Sequence, residues 1–383
     1  MKTLLHNGWI LAGEDFVDNK AVLIEKGRIT AVLHANERKK YPADHYVDLN
    51  SGYLAPGFID LQVNGGGGVL FNNAPTVKTL QKMMHAHRRF GTTAMLPTLI
   101  SDSVQVMQQA ITAVRTAIAE GVPGIIGIHL EGPYLAPRCK GTHDARHFRL
   151  PDETEIDQVT SLDNGLTLIT LAPECVPISI IKKIISRGAH VAVGHSAGTY
   201  EEICVGLNAG ISGFTHLYNA MTPLHGREPG VVGAALEDRQ SWCGIIADGV
   251  HVHPASLRLA IAAKARGKII LVTDAMPVVG ADHPHFNLYG ETISVVDGVL
   301  RNAAGALAGS ALDMATAVRN TVNWLNVPLA EAIRMASTYP ARALGLDRQY
   351  GHIAAGYRAD WVLLDTDLQV KKTWIQGQCQ SHI

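Results

Sequence analysis

The chain is 383 residues long, too long for one small domain and suited to a barrel of roughly 250 residues with a smaller companion. Apolar residues make up 47% and aromatics only 6%, so the core must be built from aliphatic side chains and Ala, as in α/β proteins. Lys plus Arg number 33 against 34 Asp plus Glu, which leaves no basic excess for nucleic acid and no charged tail.

The 5 cysteines (Cys139, Cys175, Cys204, Cys243 and Cys379) are scattered and odd in number, which suits reduced thiols. The first ten residues carry no long apolar run, and Glu14 and Asp15 follow closely, so no signal peptide is expected. No stretch approaches the roughly 20 apolar residues of a membrane span. A cytoplasmic protein without membrane or nucleic-acid partners is expected. The 18 histidines are the compositional oddity.

Along the chain, 21–26 and 29–33 read as short strands turned by Gly27. From Phe58 onward, short apolar runs alternate with longer amphipathic stretches, the signature of βα units. Eight runs predict barrel strands: 58–63, 94–98, 125–130, 167–171, 190–194, 213–216, 243–247 and 269–273. Helical periodicity is clear at 77–90, 104–120 and 178–187, with Gly91, Gly121 and Gly188 as stops. A hairpin is expected at 287–301 around Asp297-Gly298, then helices at 311–325 and 329–344, then strands at 359–364 and 370–375. The fold class predicted is α/β: a (β/α)8 TIM barrel over 55–349, with a small β-sandwich domain built from both termini, 1–54 and 350–383.

In such a barrel, residues at the C-terminal ends of the strands carry the chemistry. Here the third strand ends in His129-Leu130-Glu131-Gly132-Pro133 and the fifth in Gly194-His195-Ser196. The sixth ends in Thr215-His216-Leu217-Tyr218-Asn219 and the eighth in Thr273-Asp274. A lone His after a strand is commonly a satisfied loop residue, and a lone Thr-Asp is often a helix cap. Together, Glu131, His195 and His216 form a carboxylate–imidazole set suited to Zn2+ or Fe2+ with an open position for water. Asp274 reads as a proton acceptor beside that water, or as a fourth ligand. Thr142-His143, Arg227 and His251 follow the third, sixth and seventh strands; each alone reads equally as a surface loop residue. Gly65–Gly68 lacks the Gly-Lys-Ser/Thr of a phosphate loop and is expected only to permit tight turning.

These segments, with Pro56-Gly57-Phe58-Ile59-Asp60, Lys140-Gly141-Thr142-His143, Leu171-Ala172-Pro173-Glu174 and Gly226-Arg227-Glu228-Pro229-Gly230, carry a resemblance over nearly the whole chain. So do Ile246-Ala247-Asp248-Gly249-Val250-His251 and Leu271-Val272-Thr273-Asp274-Ala275. The chain resembles the N-acetylglucosamine-6-phosphate deacetylases of the amidohydrolase superfamily. The resemblance implies one divalent metal, Zn2+ first and Fe2+ or another divalent ion second, on Glu131, His195 and His216. It makes Asp274 the general base and then acid, and His143 a group that polarises the acetamide carbonyl. It gives Asn219, Ala220, Arg227 and His251 to the sugar phosphate, and Thr142, Ala308, Gly309 and Ser310 to the sugar. It implies a homodimer in which Arg227 reaches the neighbouring subunit's phosphate. The implied reaction removes acetate from N-acetyl-D-glucosamine 6-phosphate, in amino-sugar catabolism and cell-wall sugar recycling.

Many superfamily members carry His-x-His after the first strand, which supports a second metal. This chain has Gln62-Val63-Asn64, and amides are poor Zn2+ ligands, so a single metal is expected. Ala275-Met276-Pro277 and Ala308 also depart from the expected pattern, close to the sugar site. The alternatives are a deacetylase of N-acetylgalactosamine 6-phosphate and a non-catalytic assembly protein on the same fold. The second would be expected to lose metal ligands or the Asp, and all four are retained.

Overall fold

Eight parallel strands form the central sheet of the structure, a computed structural model that describes residues 2–302 and 305–382. In chain order they are Phe58–Val63, Thr92–Ile100, Gly127–Glu131, Leu166–Leu171, His190–Val193, Gly213–Phe214, Trp242–Ile245 and Ile269–Leu271. Each pairs with the next. The ring closes where Val63 bridges Ala275 and the Asp274 N–H donates to the Gln62 carbonyl at 3.0 Å. The first two strands are buried at every position. Helices cover one face and the barrel interior the other, so neither side of these strands faces solvent.

Local chemistry sets the helix limits. Thr76, Ser103 and Thr199 cap helices Val77–Arg88, Val104–Ala119 and Tyr200–Asn208, accepting amide bonds from Thr79, Val106 and Glu202. Gly91, Gly121 and Gly188 follow helices Val77–Arg88, Val104–Ala119 and Ile178–Ser186 at φ 88°, 74° and 92°, as the sequence suggested. At Gly91 the requirement is also steric, since a Cβ would sit 2.6 Å from the Phe58 ring.

Both termini build a second core. One sheet runs Arg28–His34, Lys20–Glu25, Lys2–His6 and His45–Asp48. The other runs Gln378–Ser381, Val370–Ile375, Trp361–Leu364, Tyr53–Pro56, Trp9–Ala12 and Asp15–Val17. Leu5, Val22 and Ile29 from the first meet Ile10, Leu54, Trp361 and Trp374 from the second, as in a small β-sandwich. The strand Tyr53–Pro56 runs across the boundary expected between 54 and 55.

Two elements differ from expectation. The appendage after the eighth strand has three strands, His285–Leu288, Glu291–Val296 and Val299–Arg301. Its first turn is Tyr289-Gly290, both at positive φ, in addition to the expected Asp297-Gly298 turn. The helix expected at 329–344 splits into Leu329–Ala336 and Thr338–Ala343 at Ser337. Pro340 has no N–H for the Ala336 carbonyl, and Ser337 Oγ donates to the Ile333 carbonyl at 2.7 Å instead.

Phe58 is fully buried and fills the cleft that Gly91 leaves. Phe58→Ala is expected to cost about 3–5 kcal/mol in urea denaturation. Val205→Ala, at a side chain 51% exposed, should stay within about 0.5 kcal/mol. Equal midpoints for the two variants would contradict this packing.

Candidate active site

Three buried ligand groups converge at the C-terminal mouth of the barrel. Glu131 ends the third strand, and His195 and His216 lie just beyond the fifth and sixth. Glu131 Oε1 is 2.9 Å from His216 Nε2 and 3.2 Å from His195 Nε2, and the two Nε2 atoms are 3.1 Å apart. His195 Nδ1 is 2.8 Å from the Cys139 carbonyl. A carbonyl only accepts, so Nδ1 carries the proton and, in the neutral ring, Nε2 presents a lone pair. Two imidazole nitrogens this close repel unless a proton or cation lies between them and the carboxylate. The donor set therefore fits a divalent cation of the Zn2+ class. It is the one such cluster among the described residues.

Burial pushes the Glu131 carboxyl upward, but its contacts with the His195 and His216 rings outweigh it and hold the group well below the usual carboxylate range. Burial opposes the charge on His216, and the bond to Glu131 reverses that effect and raises its pKa. Both shifts have one cause, the close contact of the Glu131 carboxylate with the imidazole rings.

Asp274 follows the eighth strand at φ 52°. Its Oδ1 accepts from Asn64 Nδ2 at 2.6 Å and Gln62 Nε2 at 3.2 Å, while Oδ2 has no hydrogen-bond partner among the described residues. Gln62 Nε2 also reaches both Glu131 oxygens, at 3.1 and 3.2 Å. Where a second metal would need ligands, these two side chains point N–H groups at carboxylates. Burial, and then the Glu131 charge, push the Asp274 carboxyl up to about 6. A base with that affinity is matched to proton transfer near neutral pH.

A cavity of about 430 Å³ opens over this group. Thr142, His143, Asn219, Ala220, His251 and Gly309 line it together with Glu131, His195, His216 and Asp274. His143 is buried, with its ring centroid 4.4 Å from that of His195, and burial pushes its pKa well down. Asp248 accepts from His251 Nδ1 at 2.6 Å and from the Val250 and His251 amides at 2.9 Å, which fixes the imidazole.

Three expected substrate residues are placed elsewhere. Arg227 is exposed on the 222–229 loop and is not on the cavity wall of its own chain. Ala308 is fully buried in the apolar cluster of the appendage, because its methyl packs with Met276, Phe286 and Leu300. Ser310 Oγ donates to the Thr273 carbonyl at 2.5 Å, so the hydroxyl is occupied in supporting the eighth strand. Of that tripeptide, only Gly309 reaches the cavity.

Two supporting residues were not singled out by the sequence. Glu174 accepts from Ser196 Oγ at 2.7 Å and the Ala197 amide at 2.6 Å, bracing the turn that carries His195. Its place in Leu171-Ala172-Pro173-Glu174, at the end of the fourth strand, was the available hint. Asp248, three residues before His251, was visible as an acid but not as a brace.

The amidohydrolase family profile matches residues 53–379. The N-acetylgalactosamine-6-phosphate deacetylase of Shewanella sp. (strain ANA-3) is 46% identical over 96% of this chain and 93% of its own length. The N-acetylglucosamine-6-phosphate deacetylase of Haemophilus influenzae is 35% identical over 100% of both chains. The crystal structure of the N-acetylglucosamine-6-phosphate deacetylase of Pasteurella multocida superposes with a TM-score of 0.96 at 35% identity, covering 100% of both chains. With its barrel, its ligand cluster and a profile match spanning most of its length, the chain belongs to the amidohydrolase family.

Proposed function

We propose that this protein removes acetate from N-acetyl-D-glucosamine 6-phosphate to give D-glucosamine 6-phosphate. The observation that carries the reading is the placement of Asp274 in one buried cavity with Glu131, His195 and His216. A divalent cation on those three residues, Zn2+ by the borderline donor set and Fe2+ as the alternative, would supply Lewis acidity and a more acidic water. Asp274 Oδ2, without a hydrogen-bond partner among the described residues, accepts the proton of the attacking water and returns it to the leaving nitrogen. Gln62 and Asn64 hold Oδ1 so that the other oxygen faces the cavity. His143 polarises the acetamide carbonyl, and such a donor is typically worth a few kcal/mol.

His251, braced by Asp248, and Asn219 and Ala220 on the same wall receive the 6-phosphate. Arg227 is exposed, which suits a guanidinium that completes the phosphate site of a second copy in a homodimer. The five cysteines are free and no helix among the described residues is long and apolar enough to cross a membrane, in keeping with a cytoplasmic enzyme. The second reading, N-acetylgalactosamine 6-phosphate as substrate, is favoured by the 46% identity to the Shewanella enzyme against 35% to the Haemophilus one.

Acetate release from both 6-phosphates and from unphosphorylated N-acetylglucosamine separates these readings. Faster turnover of the gluco epimer is expected, and a clear galacto preference would transfer the assignment. Arg227→Ala should raise KM for the phosphorylated sugar, and an equal loss on the free sugar would remove Arg227 from the phosphate site. Asp274→Asn should keep its metal content and lose roughly 10²–10⁴-fold in kcat. Near-normal turnover in that variant would mean another group is the base. Chelation should abolish acetate release and added Zn2+ should restore it; activity unchanged in metal-free protein would rule out the metal reading.

A further inference from the structure

Behind His143 stands a buried side chain with no part in the reaction described so far. Ser101 follows the second strand and is 1% exposed. Its Oγ lies 2.8 Å from His143 Nδ1, and its backbone N–H donates to the same nitrogen at 3.3 Å. A backbone N–H has a proton to give and no lone pair to offer. Nδ1 is therefore the acceptor, the Ser101 hydroxyl donates to it as well, and the neutral ring carries its proton on Nε2. The opposite tautomer would set an imidazole N–H against the Ser101 N–H.

Ser101 is itself held in place. Tyr289, from the first turn of the appendage, donates its hydroxyl to the Ser101 carbonyl at 2.5 Å. A Cβ at Gly132 would fall 2.4 Å from Ser101 Oγ, so the glycine leaves the slot that the hydroxyl occupies.

We propose that Ser101 is a positioning residue that fixes His143 as its Nε2–H tautomer, so that the ring offers the substrate carbonyl a hydrogen-bond donor and not a base. The proposal rests on the deacetylase reading for the identity of that carbonyl. It divides the labour in the cavity: His143 gives a hydrogen bond and keeps its proton, and Asp274 alone moves one.

The test uses the full-length, metal-loaded enzyme with 15N-labelled histidine. Two-dimensional 15N–1H spectra, with the His143 ring assigned by its loss in His143→Asn, should show Nε2 protonated and Nδ1 bare in the wild type. Ser101→Ala removes the 2.8 Å hydroxyl contact and leaves only the longer 3.3 Å backbone donor, so it should weaken the preference to a mixture of tautomers, with kcat reduced about tenfold and KM within about twofold. Ser101→Thr restores the hydroxyl and should recover most of the kcat and the wild-type ring signals. A wild-type ring protonated on Nδ1 would overturn the proposal whatever the variants do. So would an unchanged kcat in Ser101→Ala, or a folded Ser101→Thr that fails to recover. The ring signals are read without turnover, so a protein that released no acetate would sink the deacetylase reading and leave the tautomer result standing.

Discussion

The seam that joins the first strand to the eighth is the constraint on which the rest of the site depends. Asp60 is fully buried there, and burial raises its carboxyl to about 7. Thr273 Oγ1 donates to it at 2.6 Å, and the Thr273 and Gln62 amides donate at 3.2 Å. A buried carboxyl without donors would cost several kcal/mol, and three donors offset that. One residue further on, the Asp274 N–H meets the Gln62 carbonyl, so the bonds that remove the open sheet edge also turn Asp274 toward Glu131. Ser310 adds a second layer, its amide on the Asp274 carbonyl at 2.9 Å and its hydroxyl on that of Thr273. Closure of the barrel and the aim of Asp274 are one arrangement.

Part of the backbone strain falls around the cavity. His195, His216, Tyr218, Ala220 and Asp274 all hold positive φ, a state that typically costs a non-glycine residue about 1–3 kcal/mol. Such conformations persist only when their surroundings over-determine them. Glu174 does this for the turn after His195, and Asn219 Nδ2 does it for His216, donating to its carbonyl at 3.1 Å. The bends bring side chains from separate strands to one point above the barrel axis, which regular strand geometry would keep apart.

Much of this was legible in the sequence, because hydrophobic period and strand-end chemistry are local signals. The eight apolar runs marked the strands, and Glu131, His195, His216 and Asp274 stood at equivalent ends of four of them. The break at Ser337 was less visible, since Pro340 lies within a stretch whose apolar spacing stays helical. Ala308 and Ser310 share a tripeptide with Gly309, yet only the glycine faces the cavity; adjacent side chains diverge, and proximity in sequence does not fix direction. Ser101 carried no signal because its partner lies 42 residues away on another loop. Arg227 is legible as a cation, but its exposed place on the 222–229 loop, away from the cavity of its own chain, is not.

The loop after the third strand ties the two halves of the site together. The Ala136 amide donates to the His195 carbonyl at 3.0 Å, and the Cys139 carbonyl accepts from the His195 ring. Gly141, at φ 55°, brings the backbone close enough that a Cβ would lie 3.1 Å from His195 Cε1. Two residues later the same loop delivers His143 to Ser101. The segment that orients the His195 ring from behind thus also places His143 beside it. A shift of this loop would disturb the His195 and His143 rings together. Anchoring it at both ends, to the fifth strand's histidine and to the second strand's serine, couples the two geometries without placing either residue in the reaction of the other.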